Sequence, residues 1–90
     1  MSERALGLVE TWGLVAALVA ADAGLKAAPV RLAGLRMVGD GLVTVLLEGS
    51  VAAAQLAVEA AVEWGQRVGR VHSMRVIARP YAPVWETVEM

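Results

Sequence analysis

The residues able to do chemistry are few, and they do not assemble into a set. With no cysteine in the chain, disulfides, thiolate catalysis, Cys-type zinc sites and Cys-ligated iron-sulfur clusters are all excluded. His72 is the only histidine and alternates with Met74 and Val76 in a strand-like run, so it reads as a structural strand residue. Glu59 and Glu63 stand one helical turn apart, a spacing that suits an acid-base or metal pair. Neither has a third ligand nearby in the pattern, and the pair reads as a solvated helix face. Ser50 and Thr11 each precede a helical run and read as N-caps rather than nucleophiles. Gly39 and Gly41 resemble a fragment of a phosphate loop, but no Lys-Ser/Thr pair or third glycine follows, and they join strand to strand. No catalytic residue, metal site or cofactor is therefore assigned, and the chain is not expected to be an enzyme.

Binding chemistry is equally sparse. A net charge of -1 and a pI near 5.7 argue against a surface built to grip phosphates, hence no nucleic acid. Trp12, Trp64, Trp85 and Tyr81 all fall outside the central strands, where an RNA-binding sheet would carry its stacking rings. They read as packing or subunit contacts.

The elements that hold these residues are organised around Met37-Val38-Gly39-Asp40-Gly41. Asp-Gly between two apolar runs is a hairpin signal, because glycine takes positive φ freely and aspartate tolerates it. The runs Val30 to Val38 and Leu42 to Leu47 pair across it, with Asp40 at the tip. Gly34 inside the first run suggests a bulge or a close backbone approach, and the alternation puts Arg31 and Arg36 on opposite faces of the pleat. Leu42 to Leu47 is the most continuously apolar run and is expected at a central, covered position.

On each side of the hairpin lies one helix and one more strand. Ala5 to Glu10 is the first strand. From Gly13 to Lys26, Leu14, Val15, Leu18, Val19 and Leu25 share one broad helical face, and Asp22 with Lys26 forms an i,i+4 pair. Pro29 closes that helix. In the second helix, Val51 to Arg67, a polar stripe through Gln55, Glu59 and Glu63 leaves Val51, Ala54, Val58, Ala61 and Val62 for the sheet. Gly69 suits its C-cap, and Val71 to Ala78 is the fourth strand, stopped by Arg79-Pro80. A tail from Tyr81 to Met90 holds one short helical turn around Trp85. The order β-α-β-β-α-β, with right-handed crossovers, gives an α+β, ferredoxin-like fold: a four-stranded antiparallel sheet with two helices on one face. The other face is left bare.

Ninety residues suit one domain, spanning 1–90 with a core of about 5–80. A hydrophobic share of 58% exceeds the usual soluble value of about 45 to 50%, so the chain has surface to cover. The longest charge-free stretch, Thr11 to Ala21, is well short of the roughly 18 to 20 residues a spanning helix needs. Self-association is expected instead of a membrane. The Met-Ser-Glu-Arg start carries no signal or transit pattern, which predicts a cytosolic protein.

Leu6-Gly7-Leu8-Val9-Glu10-Thr11, Ala21-Asp22-Ala23, Lys26, Val38-Gly39-Asp40-Gly41-Leu42-Val43-Thr44-Val45 and Val76-Ile77-Ala78-Arg79-Pro80 together resemble a bacterial microcompartment shell protein of the single-domain, hexamer-forming type, as in propanediol-utilisation and carboxysome shells. The resemblance runs from about Ala5 to Pro80. It implies cyclic homohexamers that tile with other shell proteins around encapsulated enzymes in the bacterial cytoplasm. It also implies a central pore for small polar metabolites, lined by Val38, Gly39, Asp40 and Gly41. Lys26 matches the family's edge lysine and Arg79 the arginine that contacts the neighbouring tile. Asp40 departs from the serine or other small residue common at the pore. Pro29 and Tyr81 depart from an asparagine and a histidine frequent near the edge, and Trp12 stands at a usually polar or charged position. The rival is a ferredoxin-like regulatory domain that binds a small molecule within a closed oligomer. Only a tile should form extended sheets or tubes.

Overall fold

The structure, a computed structural model, describes residues 4–78. The chain runs β1 (Ala5–Trp12), α1 (Leu14–Ala27), β2 (Arg31–Gly39), β3 (Leu42–Gly49), α2 (Val51–Val68) and β4 (Arg70–Ala78). The four strands form one sheet in the order β2-β3-β1-β4, and every neighbouring pair is antiparallel. This is the ferredoxin-like arrangement, with the apolar β3 at an inner position. The expected tail, including Arg79, Tyr81 and Trp85, lies outside the described residues.

Val9, Val43, Val45 and Leu47 point to the helices, where they pack against Ala17, Ala20, Ala21, Ala57, Val58 and Ala61. Since successive strand residues face opposite ways, Leu6, Leu8 and Leu46 face the other side. That side is not bare: Leu6, Ala33 and Leu46 are buried there in a second cluster, with Leu8 packed against it.

The two helices solve the same packing problem differently. In α2 the buried residues are Ala53, Ala54, Ala57, Val58, Ala61 and Gly65, close to the expected stripe. In α1 only small residues are buried, namely Ala16, Ala17, Ala20, Ala21 and Gly24. The large apolar face predicted for α1 therefore looks outward, with Val15 67% and Leu18 54% exposed. Close approach decides this: a Cβ on Gly24 would lie 2.7 Å from Leu47 Cδ1 and 3.2 Å from the Ala57 carbonyl oxygen. No room remains for a leucine between α1 and its neighbours.

Helix starts also differ from one another. Ser50 caps α2, its hydroxyl accepting from the Ala53 N–H at 3.1 Å. Thr11 does not cap α1, whose N-cap is Gly13. The fully buried Thr11 hydroxyl instead donates to the Gly13 carbonyl at 3.1 Å.

The β2 bulge falls at Ala33, between the pairs Leu32–Leu47 and Gly34–Leu46. One extra residue shifts the pleat by one. Arg31 then opposes Glu48 and Arg36 opposes Thr44. Since Glu48 and Thr44 share a face of β3, the two arginines share it too, contrary to the simple alternation.

Candidate functional site

The hairpin between β2 and β3 is a two-residue turn, because Gly39 and Leu42 still pair. Asp40 has φ 55° and Gly41 φ 85°, the two positive values a type I′ turn requires. Gly39, just before them, is also at positive φ, 98°. Asp40 is the only non-glycine described residue with positive φ. Val38, Gly39, Asp40 and Gly41 are all exposed, so the turn projects from the end of the sheet.

Beneath the turn lies the corner from β1 into α1. The Gly13 N–H donates to the Gly41 carbonyl at 2.7 Å, joining the helix start to the turn. Trp12 pairs with Leu42 on one side and Arg70 on the other. A Cβ added to Gly41 would lie 3.7 Å from Trp12 Cε3, so the indole already underlies the turn. Trp12 also meets His72 in a T-shaped arrangement, with ring centroids 5.6 Å apart and planes at 76°.

Lys26 stands at the other end of α1. It lies 13 positions after Gly13, about 20 Å along a helix. Its ammonium pairs with Asp22 Oδ2 at 2.9 Å, with both side chains more than half exposed, so the pair itself holds little free energy. Next to it a groove of about 360 Å³ is lined by Val19, Asp22, Ala23, Lys26, Ala60 and Trp64, among others. The Arg67 guanidinium sits 4.2 Å from the centre of the Trp64 ring, a cation–π arrangement. Glu59 and Glu63 are exposed on α2, and no group of three or more His, Cys, Asp or Glu able to hold a metal occurs among the described residues.

One constellation was not anticipated from the sequence. Glu48, its side chain 8% exposed, takes hydrogen bonds and ion pairs from both Arg4 and Arg31. The β2 bulge is what brings Arg31 opposite it. On the same face, the Ser73 hydroxyl donates to Glu10 Oε1 at 2.6 Å. The available signal was Glu48 itself, a lone acid at the end of an otherwise apolar run.

A family model described as the BMC domain matches residues 5–80, which takes in all six elements of the fold. The chain belongs to the BMC-domain family. Among relatives of this BMC-domain protein, the bacterial microcompartment shell protein PduA of Citrobacter freundii is 46% identical over 84 residues, 93% of this chain and 90% of PduA. The shell protein EutM of Salmonella typhimurium is 45% identical over 92% of this chain and 86% of EutM. The carboxysome shell protein CsoS1 of Prochlorococcus marinus is 49% identical over 89% of this chain and 79% of CsoS1. A crystal structure of a microcompartments protein from Desulfitobacterium hafniense superposes with a TM-score of 0.85 at 31% identity, covering 97% of this chain and 47% of that one. The BMC-domain chain thus spans about half of that longer protein. No helix among the described residues is long and apolar enough to cross a membrane.

Proposed function

We propose that this BMC-domain protein is a non-enzymatic tile of a bacterial microcompartment shell in the bacterial cytoplasm. It forms a cyclic homohexamer that associates edge to edge with its own kind and with other shell proteins around encapsulated enzymes. Six turns of Val38, Gly39, Asp40 and Gly41 line an axial pore for small polar metabolites, and Lys26 lies at the rim. Arg79, outside the described residues, is assigned to the same rim by its match to the family's edge arginine. The observation that carries the reading is the family match across all six elements. Two features of the molecule support it. The exposed turn and the exposed lysine occupy opposite ends of α1, as a centre and a rim would require. The outer face of α1 leaves Val15, Leu18 and Leu25 in water, surface that association can cover.

Asp40 gives the pore its chemistry. Six carboxylates around a narrow axis stand within a Debye length of one another, about 8 to 10 Å at ordinary salt. Such a ring concentrates cations and polar donors and opposes anions. Amines and alcohols therefore cross more readily than carboxylates and phosphates.

The test is native mass spectrometry with electron microscopy, on the parent and on Lys26→Asp. The parent gives a hexamer and extended sheets or tubes. The variant keeps the ring and loses the sheets, because the lysine's stem and its donors along the edge are replaced by a short anion. A stable monomer at micromolar concentration would end the ring reading. Sheets formed as readily by the variant would remove Lys26 from the rim.

A further inference from the structure

We infer that Trp12 is a positioning residue for the pore turn, a strut between β4 and the turn that fixes where Asp40 stands. This rests on the pore reading above, and it is carried by three contacts and one close approach that converge on one corner. The register between β1 and β4 slips between Glu10–Ser73 and Thr11–Val71, which leaves His72 as the extra residue. Bulges re-aim a side chain, and this one sets the imidazole edge-on against the Trp12 ring. The indole also underlies Gly41, where an added Cβ would meet its Cε3 at 3.7 Å, an ordinary van der Waals distance. The next residue along, Gly13, donates its N–H to the Gly41 carbonyl at 2.7 Å, and the buried Thr11 hydroxyl holds the Gly13 carbonyl.

The turn has few restraints of its own. Its residues are exposed, and three in succession have positive φ, a backbone state that side chains of L-residues do little to hold. Within the described residues its position is set by the two β-strands on one side and by the Trp12–Gly13 corner on the other. A rigid, broad ring is suited to that task, having only two side-chain torsions to fix. The indole N–H is buried with no acceptor among the described residues. A donor left unmet is a cost, so breadth and stiffness are what the ring contributes here, and a phenyl ring can stand in for it.

The experiment uses the full chain in assembled shells, as parent, Trp12→Ala, Trp12→Phe, His72→Ala and Asp40→Ser. Two quantities are read: hydrogen exchange over segments 11–14 and 38–42, and the flux ratio of a small amine to a size-matched carboxylate. Trp12→Ala should speed exchange in both segments by about tenfold, the mark of a local opening made easier. Its flux ratio should fall toward that of Asp40→Ser. Trp12→Phe should restore both to within about twofold of the parent, since it keeps the ring and loses only the unmet donor. His72 is exposed, so His72→Ala should keep the fold while loosening the turn in the same direction, and it carries the test if Trp12→Ala does not fold. Unchanged exchange in the alanine variants overturns the strut. Faster exchange with an unchanged flux ratio, while Asp40→Ser does shift the ratio, leaves the pore reading intact and overturns the positioning role. If Asp40→Ser shifts nothing, the pore reading fails, and the positioning role fails with it whatever the exchange shows.

Discussion

The two helices lie side by side on the same sheet and both bury mainly alanine and glycine, yet α2 also encloses a branched side chain, Val58, and α1 encloses none. In α2 Ala54, Val58 and Ala61 of the expected stripe are buried, with Val58 fully enclosed, while Val51 and Val62 are half-buried. In α1 the bulky residues are turned to solvent and the buried face is alanine and glycine alone. Helical periodicity finds an apolar face; it cannot say whether size excludes that face from the interior. A helix drawn close to its neighbours is selected for small inward residues, and its large apolar residues are then free to serve contacts outside the chain.

This contrast can be broken most forcefully at Gly24. Gly24→Val would place its Cβ within 2.7 Å of Leu47 Cδ1 with further methyl groups beyond, and should destabilise the fold by about 3 kcal/mol or more. A urea titration at fixed protein concentration measures it. A loss under about 1 kcal/mol would show that α1 can lift away from the sheet, and the contrast between the helices would fall.

The helix starts sharpen the comparison at a smaller scale. Ser50→Ala removes the hydroxyl that accepts from Ala53 and should cost about 1 kcal/mol in the same titration. Thr11→Val, similar in shape, removes a donor to Gly13 at the other helix. It should cost about as much, but through the corner under the turn and not through a cap. Exchange over segment 38–42 separates the two, responding to Thr11→Val and not to Ser50→Ala.

The smallest effect is expected at Leu18. Leu18→Gln on the outer face of α1 should change the chain's own stability by less than about 0.5 kcal/mol, as surface substitutions do. A loss above about 1 kcal/mol in the assembled protein would identify this face as one that a neighbouring copy covers.

What the sequence made legible and what it did not divide along the same physical line. Signals that act within a few residues were readable: the Asp40-Gly41 turn, the Ser50 cap, the Asp22–Lys26 pair, and a glycine-marked irregularity in β2. So was the inner position of β3, from its unbroken apolar run. Features set by distance across the fold were not. The inward side of α1 depends on how close Leu47 and Ala57 come. The shared face of Arg31 and Arg36 depends on an extra residue in the pleat, which turns an alternation argument into its opposite. Thr11 precedes the first helix in sequence, but Trp12 and Gly13 separate it from Leu14 and its place in a paired strand sends its hydroxyl elsewhere. The pairing of Trp12 with His72 had no local signal, because the two lie 60 positions apart in the chain.

Glu48 has a consequence for how the sheet finds its pairing. Its carboxylate, near the end of β3, is held by an arginine that precedes β1 and another that begins β2, so one group binds three segments remote in sequence. Slipping β3 by one residue would turn every side chain to the opposite face, sending this acid among the valines and alanines beneath the helices and breaking its pairs with both guanidinium groups. A bare apolar strand would tolerate such a slip far better, since one branched aliphatic resembles the next. An ionised group in that position makes the wrong alignment costly. Its worth therefore lies less in the energy it adds to the correct sheet than in the misaligned sheets it makes costly.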